Sequence, residues 1–184
     1  MKKSLYVIVV AFFLLVFSRC ISTQTTVKKI DSVTTKDTIV PIKVEPNKNV
    51  ISINELITMF EDPTTTKAII KKYGYSLKRD YEIYNFDKFS HIYYKNCKLA
   101  KILVDNKYED YPKPLRKGTS SYIAFKDGTI LLAVFNQAVY DNLLAQIKAA
   151  GFILDMPGNE DIYIKGNLII GCYSGAKTIR IKKS

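Results

Sequence analysis

The sequence predicts an α+β domain: two small lobes of antiparallel sheet with helices packed on one face, ordered helix-helix-strands and then helix-strands. Three observations lead there. Ser52-Ile53-Asn54-Glu55 and Asp62-Pro63 have the residue types of helix starts, and Gly74 and Gly151 those of helix stops. After Gly74 the apolar period changes from helical to two. Short β-prone runs are then divided by the turn pairs Lys95-Asn96, Asp127-Gly128 and Gly166-Asn167.

The amino terminus stands apart from this domain. Lys2 and Lys3 precede thirteen residues, 5–17, that carry no charge. That length suits the apolar region of a signal peptide and falls short of the roughly 20 residues a bilayer span needs. A buried core helix would show an amphipathic period, and this run is apolar on all sides. Residues 1–20 are therefore expected to be a signal peptide. Cys20 follows directly, which resembles the lipobox of bacterial lipoproteins and implies acylation at Cys20. Arg19 and Phe17 depart from that pattern, which favours a small residue and Leu at those places. Cleavage after Ser18 and an uncleaved anchor remain the competing endings. Residues 21–49 are rich in Thr, Ser and Lys, hold Pro41 and Pro46 and lack aromatic residues. They read as a flexible polar tether, about 30 Å long as a coil and about 100 Å when extended.

Residues 50–184 have the size of one domain, with half-repeats 50–135 and 136–184. Ser52 and Glu55 form a capping box, and the helix behind them should bury Leu56, Ile57, Met59 and Phe60. Asp62 and Pro63 start a second helix that ends at Gly74. Residues 89–94 and 97–104 are expected to form a hairpin around Lys95-Asn96, with Ile92 and Leu99 inward and Tyr93 and Lys98 outward. Residues 121–126 and 129–135 form a second hairpin around Asp127-Gly128. Asn136 caps a helix carrying Leu143, Leu144 and Ile147, stopped by Gly151. Residues 161–165 and 168–173 make a third hairpin. A last strand, 178–182, turns Ile179 and Ile181 to one side and Arg180 and Lys182 to the other.

The two halves echo each other. Lys71-Lys72-Tyr73-Gly74-Tyr75 and Lys148-Ala149-Ala150-Gly151-Phe152 each end a helix with glycine and an aromatic residue. Ile92-Tyr93-Tyr94-Lys95-Asn96 and Ile162-Tyr163-Ile164-Lys165-Gly166-Asn167 follow in strands. This pattern behind a signal and a Thr-rich spacer resembles uncharacterised exported proteins and lipoproteins of Bacteroidetes-type bacteria. The resemblance covers residues 52–184. It implies two αβ lobes, broadly like the beta-lactamase-inhibitory-protein architecture, and it implies no reaction.

Charge and composition narrow the function classes. The chain carries 28 Lys and Arg against 17 Asp and Glu, a net charge of +11. Residues before Val50 hold eight of those cations and three of the acids, leaving the domain near +6. Its arginines are only Arg79, Arg116 and Arg180, and its lysines are scattered, so a solvated surface explains the charge and no nucleic-acid partner is expected. Twelve of the 13 tyrosines fall in the domain, six of them between residues 81 and 111. They suit both sheet packing and an interface.

Catalytic chemistry finds little footing. His91 is the only histidine, and hairpin register separates it from Cys97 by about 10 Å, too far for a Cys-His dyad. One histidine without CxxC or HxxxH spacing gives no metal site. The acid pairs Glu61-Asp62, Glu109-Asp110 and Glu160-Asp161 sit at helix ends or in loops. No GxGxxG, P-loop or nucleophile elbow occurs, so no cofactor is expected. The expected function is a non-catalytic cell-envelope binding or scaffold protein, anchored to a membrane through acylated Cys20. Its interaction surface is expected on one sheet face at Tyr93, Lys98, Arg180 and Lys182, suited to an acidic protein or an anionic polymer. A partner-capping inhibitor is the sharper version of that reading, and a hydrolase of envelope polymers is the alternative. Cys97 and Cys172 are read as buried free thiols, with a disulfide between them as the competitor.

Overall fold

Ser52 opens the first helix as its sequence requires. Its hydroxyl accepts from Glu55 N at 3.3 Å, and Ser52 N donates back to Glu55 Oε2 at 3.1 Å. The computed structural model describes residues 44–184. The signal peptide, Cys20 and most of the tether lie outside the described residues. Helix α1 (Ile53–Glu61) buries Ile53, Leu56 and Met59. Asp62 then caps a single 3-10 turn (Pro63–Thr65) before α2 (Thr66–Tyr73) begins, so Asp62-Pro63 starts the second helix one turn early.

The helix ends repeat as geometry. Gly74 (φ +72) and Gly151 (φ +84) are both left-handed. Tyr75 N donates to Ile70 O and Gly74 N to Lys71 O. Phe152 N and Gly151 N make the same pair of bonds to Ile147 O and Lys148 O. The aromatic residue behind each glycine is thereby folded inward and buried.

The strands are β1 (Ser76–Ile83), β2 (Asp87–Lys95), β3 (Cys97–Lys98), β4 (Ile102–Val104), β5 (Lys107–Tyr108), β6 (Lys113–Pro114), β7 (Ser121–Lys126) and β8 (Thr129–Val134). Helix α3 (Gln137–Ala149) follows, then β9 (Ile153–Met156), β10 (Glu160–Lys165), β11 (Leu168–Tyr173) and β12 (Thr178–Lys183). Ten of them form one sheet in the order β4-β5-β1-β2-β7-β8-β12-β11-β10-β9, and β3 pairs only with β6. The sheet is antiparallel except where β5 runs parallel to β1. The expected two lobes are thus one sheet. Each half contributes a four-strand meander behind a helix, β1-β2-β7-β8 and β9-β10-β11-β12. The meanders join where β8 pairs with β12, Leu132 against Ile179. Both residues are fully buried, which explains why the halves merge instead of packing as separate cores.

The hairpins at Asp127-Gly128 and Gly166-Asn167 form as expected. Asp127 (φ +48) and Gly128 (φ +70) supply the two positive angles of a type I′ turn. The hairpin around Lys95-Asn96 does not form. Strand β2 pairs instead with β1, Ile92 opposite Lys78, and with β7, Ile92 opposite Ala124. Asn96 is left-handed, but the chain leaves the sheet there, and residues 97–120 fold back across it.

Two cores result. Helices α1, α2 and α3 cover one sheet face, meeting Ile123, Leu132, Ile170, Ile179 and Ile181. On the opposite face, the first half of the sheet is covered by the returning segment, where Ala100, Tyr108 and Tyr111 pack against Ile92, Tyr122 and Ala124. Tyr81 O–H donates to Asp110 O at 2.7 Å and holds that segment down. The expectation that Ile92 faces the helices is therefore inverted: Ile92 belongs to the second core, and Tyr93 faces the helices.

Candidate binding surfaces

The four residues expected to share a surface do not share a face. Cross-strand register places Tyr93, Ile123, Leu132 and Ile179 in one row on the helix side. Arg180 lies in the next row with Leu131, Ala124 and Ile92, on the other side of the sheet. Lys182 sits beside Ile169 on Arg180's face, and Lys98 is in the separate β3–β6 ribbon. The face that remains open is narrower than expected: it is the side of β12, β11, β10 and β9 turned away from the helices.

That open half-face is more apolar than the sequence suggested. Register aligns Ile153, Ile164, Ile169 and Lys182 in one row, and Met156, Ile162, Gly171 and Arg180 in the next. Ile153 is 72% exposed and Met156 61%, although both are apolar. They belong to β9, whose four residues are all exposed and which ends the sheet. An edge strand presents unpaired backbone groups, and a contiguous exposed apolar patch marks an interaction site. Neither signal follows from alternation, because Ile153-Leu154-Asp155-Met156 is too short to show a period of two. A short apolar run bounded by Gly151 and Pro157 was the available clue.

Arg180 is committed on this face. Its Nε donates to Glu160 Oε1 at 3.1 Å and its Nη2 to Glu160 Oε2, a two-pronged ion pair. Glu160 and Asp161 open strand β10 and do not lie in a loop as expected, and the acid pairs are otherwise engaged too. Asp62 caps the 3-10 turn, Glu109 and Asp110 lie near Lys113 at 3.7 and 3.6 Å, and Asp161 accepts from Gly158 N at 3.0 Å.

A second concavity lies on the helix side, a cleft of about 510 Å³ between the end of α1 with its 3-10 turn and the strands β2, β7 and β8. Met59, Phe60 and Pro63 form one wall. The other is an aromatic trio. His91 and Phe125 are cross-strand partners and stack at 4.4 Å, and Tyr93 stands edge-on to both at 5.4 and 5.9 Å. A smaller cleft of about 210 Å³ adjoins it, lined by Leu77, Arg79 and Asp80 and sharing Ser90, His91 and Tyr93 with the first. Burial, and then the nearby Arg79 guanidinium, push the His91 imidazole below its ordinary range. Ser90 Oγ donates to Phe125 O at 3.0 Å and lies 3.0 Å from His91 Nδ1. A hydroxyl has one proton, so Nδ1–H is then the donor to Ser90 and Nε2 is left as an acceptor.

Cys97 takes no part in this cleft. Its single S–H faces two carbonyl acceptors, Lys95 O at 3.2 Å and Ser121 O at 3.5 Å, and burial pushes its pKa to about 11. Cys97 and Cys172 are both buried and unpaired. Among the described residues, no group of three or more His, Cys, Asp and Glu side chains is placed to hold a metal ion. No helix among them is long and apolar enough to cross a membrane.

No protein-family model, curated protein or solved structure matches the chain.

Proposed function

We propose that this chain is a non-catalytic cell-envelope binding protein, exported by its first twenty residues, held at a membrane through acylated Cys20 and docking a protein partner on the open half of its sheet. One observation carries the reading: the apolar strip of Ile153, Met156, Ile162, Ile164 and Ile169 beside the free edge of β9. Burying such a strip against a partner is favourable by about 25 cal/mol per Å² of apolar surface, and the edge strand can add main-chain hydrogen bonds. Lys182 borders the strip and favours a partner whose apolar contact carries an acid at its rim, since the Arg180 charge is already matched by Glu160.

Cross-linking in intact cells tests it. Wild type should be recovered from membranes with a cross-linked protein. Ile164→Asp should lose the partner while keeping its melting temperature, because Ile164 is 38% exposed. Cys20→Ala should release the protein from membranes. Equal cross-linking by the Ile164 variant would remove the docking surface, and unchanged fractionation of Cys20→Ala would remove the lipid anchor.

A further inference from the structure

The two half-meanders differ at one place. Tyr93 and Tyr163 occupy matching positions, on the second strand of each half and facing the helices. In the second half, α3 brings Val139, Tyr140, Leu143 and Ile147 down onto the sheet, and Tyr163 is 4% exposed. In the first half, α2 buries Thr66 and Ile70 and packs Ile69 and Tyr73 partly against the core, and the sheet around Tyr93 stays open as the paired clefts. The same sheet position is closed by packing in one half and left accessible, with three aromatic rings, in the other.

The larger cleft falls in the range of about 300–1,000 Å³ typical of ligand sites, and the smaller falls below it. Because they share Ser90, His91 and Tyr93, they are two compartments of one groove, divided by the His91–Tyr93 ridge. A groove divided in this way suits an extended chain of rings better than a single compact molecule. Its charges are balanced despite the chain's net +11. Lys67 and Asp127 line the larger compartment, and Arg79 and Asp80 the smaller. Lys126 also lines the groove, but its ammonium is bound to Asp87 at 2.5 Å. Thr129 adds a neutral hydroxyl, and Thr64, whose own proton goes to Asp62, and His91 Nε2 add neutral acceptors. An anionic polymer would find as many acids as free cations here, and a purely apolar ligand would have to desolvate both.

We propose that this groove binds a neutral linear oligosaccharide, with sugar rings lying against Tyr93 and His91 on both sides of the ridge. A sugar ring presents an apolar C–H face and a rim of hydroxyls. The faces of aromatic rings carry negative charge density that attracts C–H groups. The hydroxyl rim needs donors and acceptors together, which Arg79, Asp80, Lys67, Asp127 and Thr64 provide. This site lies on the opposite side of the sheet from the protein-docking strip, and the two readings stand or fall separately.

Calorimetric titration of the full chain with maltohexaose, cellohexaose, xylohexaose and chitohexaose tests the proposal, with a hexamer of galacturonic acid as the anionic control. At least one neutral hexamer should bind, more tightly than its own monosaccharide. Its Kd should change by less than about twofold between roughly 0.05 and 0.5 M salt, since no net ion pairing is involved. Tyr93→Ala should weaken it about tenfold or more, and Tyr93→Phe, which keeps the ring, far less. Should Tyr93→Ala fold poorly, the exposed rim variant Asp127→Asn provides the same comparison. Ile164→Asp should leave sugar binding unchanged, which separates this groove from the protein-docking surface. Failure of all four neutral hexamers at millimolar concentration overturns the proposal. So does binding of the galacturonic acid hexamer alone, or neutral-hexamer affinity that is indifferent to both groove variants.

Discussion

Glu160 and Arg180 meet directly above Gly171, which lies on the strand between them. Arg180 is the cross-strand partner of Gly171 on β12, and Glu160 reaches over from β10. A Cβ at position 171 would lie 2.6 Å from Glu160 Cδ. Gly171 has no positive φ, so alanine is tolerated by the backbone and opposed only by the carboxylate. Gly171→Ala should lower stability by about 1–3 kcal/mol through crowding and loss of the two-pronged ion pair. Adding Glu160→Ala to that variant should recover the part of the loss due to crowding, because the crowded group is gone, and leave only the ion pair's share. Urea denaturation of the single and double variants checks this, and additive losses would contradict it.

Glu55 ties the first helix to the second. Besides its capping role, its carboxylate accepts from Lys72 Nζ and from the Tyr73 hydroxyl, each at 2.6 Å. Burial works to raise its pKa, but the bonds from Lys72, Tyr73 and Ser52 prevail and lower it to about 2 from 4.5. A carboxyl whose pKa is depressed on folding stabilises the fold above its unfolded pKa and loses that contribution as pH falls through the folded one. Stability should therefore drop between about pH 4.5 and 2, by on the order of 1–2 kcal/mol from this group, whose side chain is 22% exposed. Denaturation midpoints compared between wild type and Glu55→Gln over that window measure it. A parallel pH dependence in the two proteins would contradict the assignment.

Gln146 anchors α3 to the start of α1. Its Oε1 accepts from Ile53 N at 3.0 Å, and its Nε2 donates to Asn142 Oδ1 at 2.8 Å. Ile53 is the first residue of its helix, so its N–H has no partner within the helix. The site is buried, with Gln146 8% exposed. Gln146→Leu fills the space but strands that donor, at a cost of about 1–3 kcal/mol. Faster hydrogen exchange at the Ile53 amide should accompany the loss. A variant within about 0.5 kcal/mol of wild type would show the bond to be replaceable.

The legible parts of the fold are those decided by neighbouring residues. Ser52 with Glu55, Asn136, Gly74, Gly151 and Asp127-Gly128 each satisfy a local backbone requirement, and each was found where its chemistry put it. The β1–β2 hairpin lacks such a local marker. Its turn, residues 84–86, has no glycine or proline, and the left-handed residue is Asn85. Strand β1 also reads Ser-Leu-Lys-Arg-Asp-Tyr-Glu-Ile, with Asp80 left-handed in its middle, so its alternation is broken. The face of Tyr93 depended on what covers each side. Residues 97–120 cover the side that alternation alone would leave to water, and such pairing between distant segments leaves no local period to read. The cleft has no sequence motif because it is a shortfall of helix above the sheet.

Cys97 and Cys172 should behave as sealed thiols. Burial raises Cys97 to about 11, and burial with Asp161 and Glu160 raises Cys172 to about 12. Reaction with an alkylating agent needs the thiolate and access to it, and both are withheld. Neither residue should be labelled at pH 8 in the native protein. Both should be labelled in guanidinium without a reductant. Labelling that requires prior reduction would mean that the two are joined in solution.

The pairing of β8 with β12 makes the sharpest claim about the whole fold. Leu132 and Ile179 are neighbours in the central rows of the sheet and are fully buried. The helix-side core runs without a break from Ile123 in the first meander to Ile170 in the second. A protein of two lobes would unfold in two steps, or its lobes would fold when separated. One shared sheet and core should instead unfold in a single transition, seen alike by tyrosine fluorescence and far-ultraviolet circular dichroism. Separate fragments 44–135 and 136–184 should each remain unfolded, because cutting between β8 and α3 leaves β8 and β12 as exposed edges with bare apolar faces. Leu132→Ala should destabilise the entire chain by about 2–5 kcal/mol, with loss of signal from both halves at the same denaturant concentration. Distinct midpoints for the halves, or a folded fragment 136–184, would return the protein to the two-lobe description.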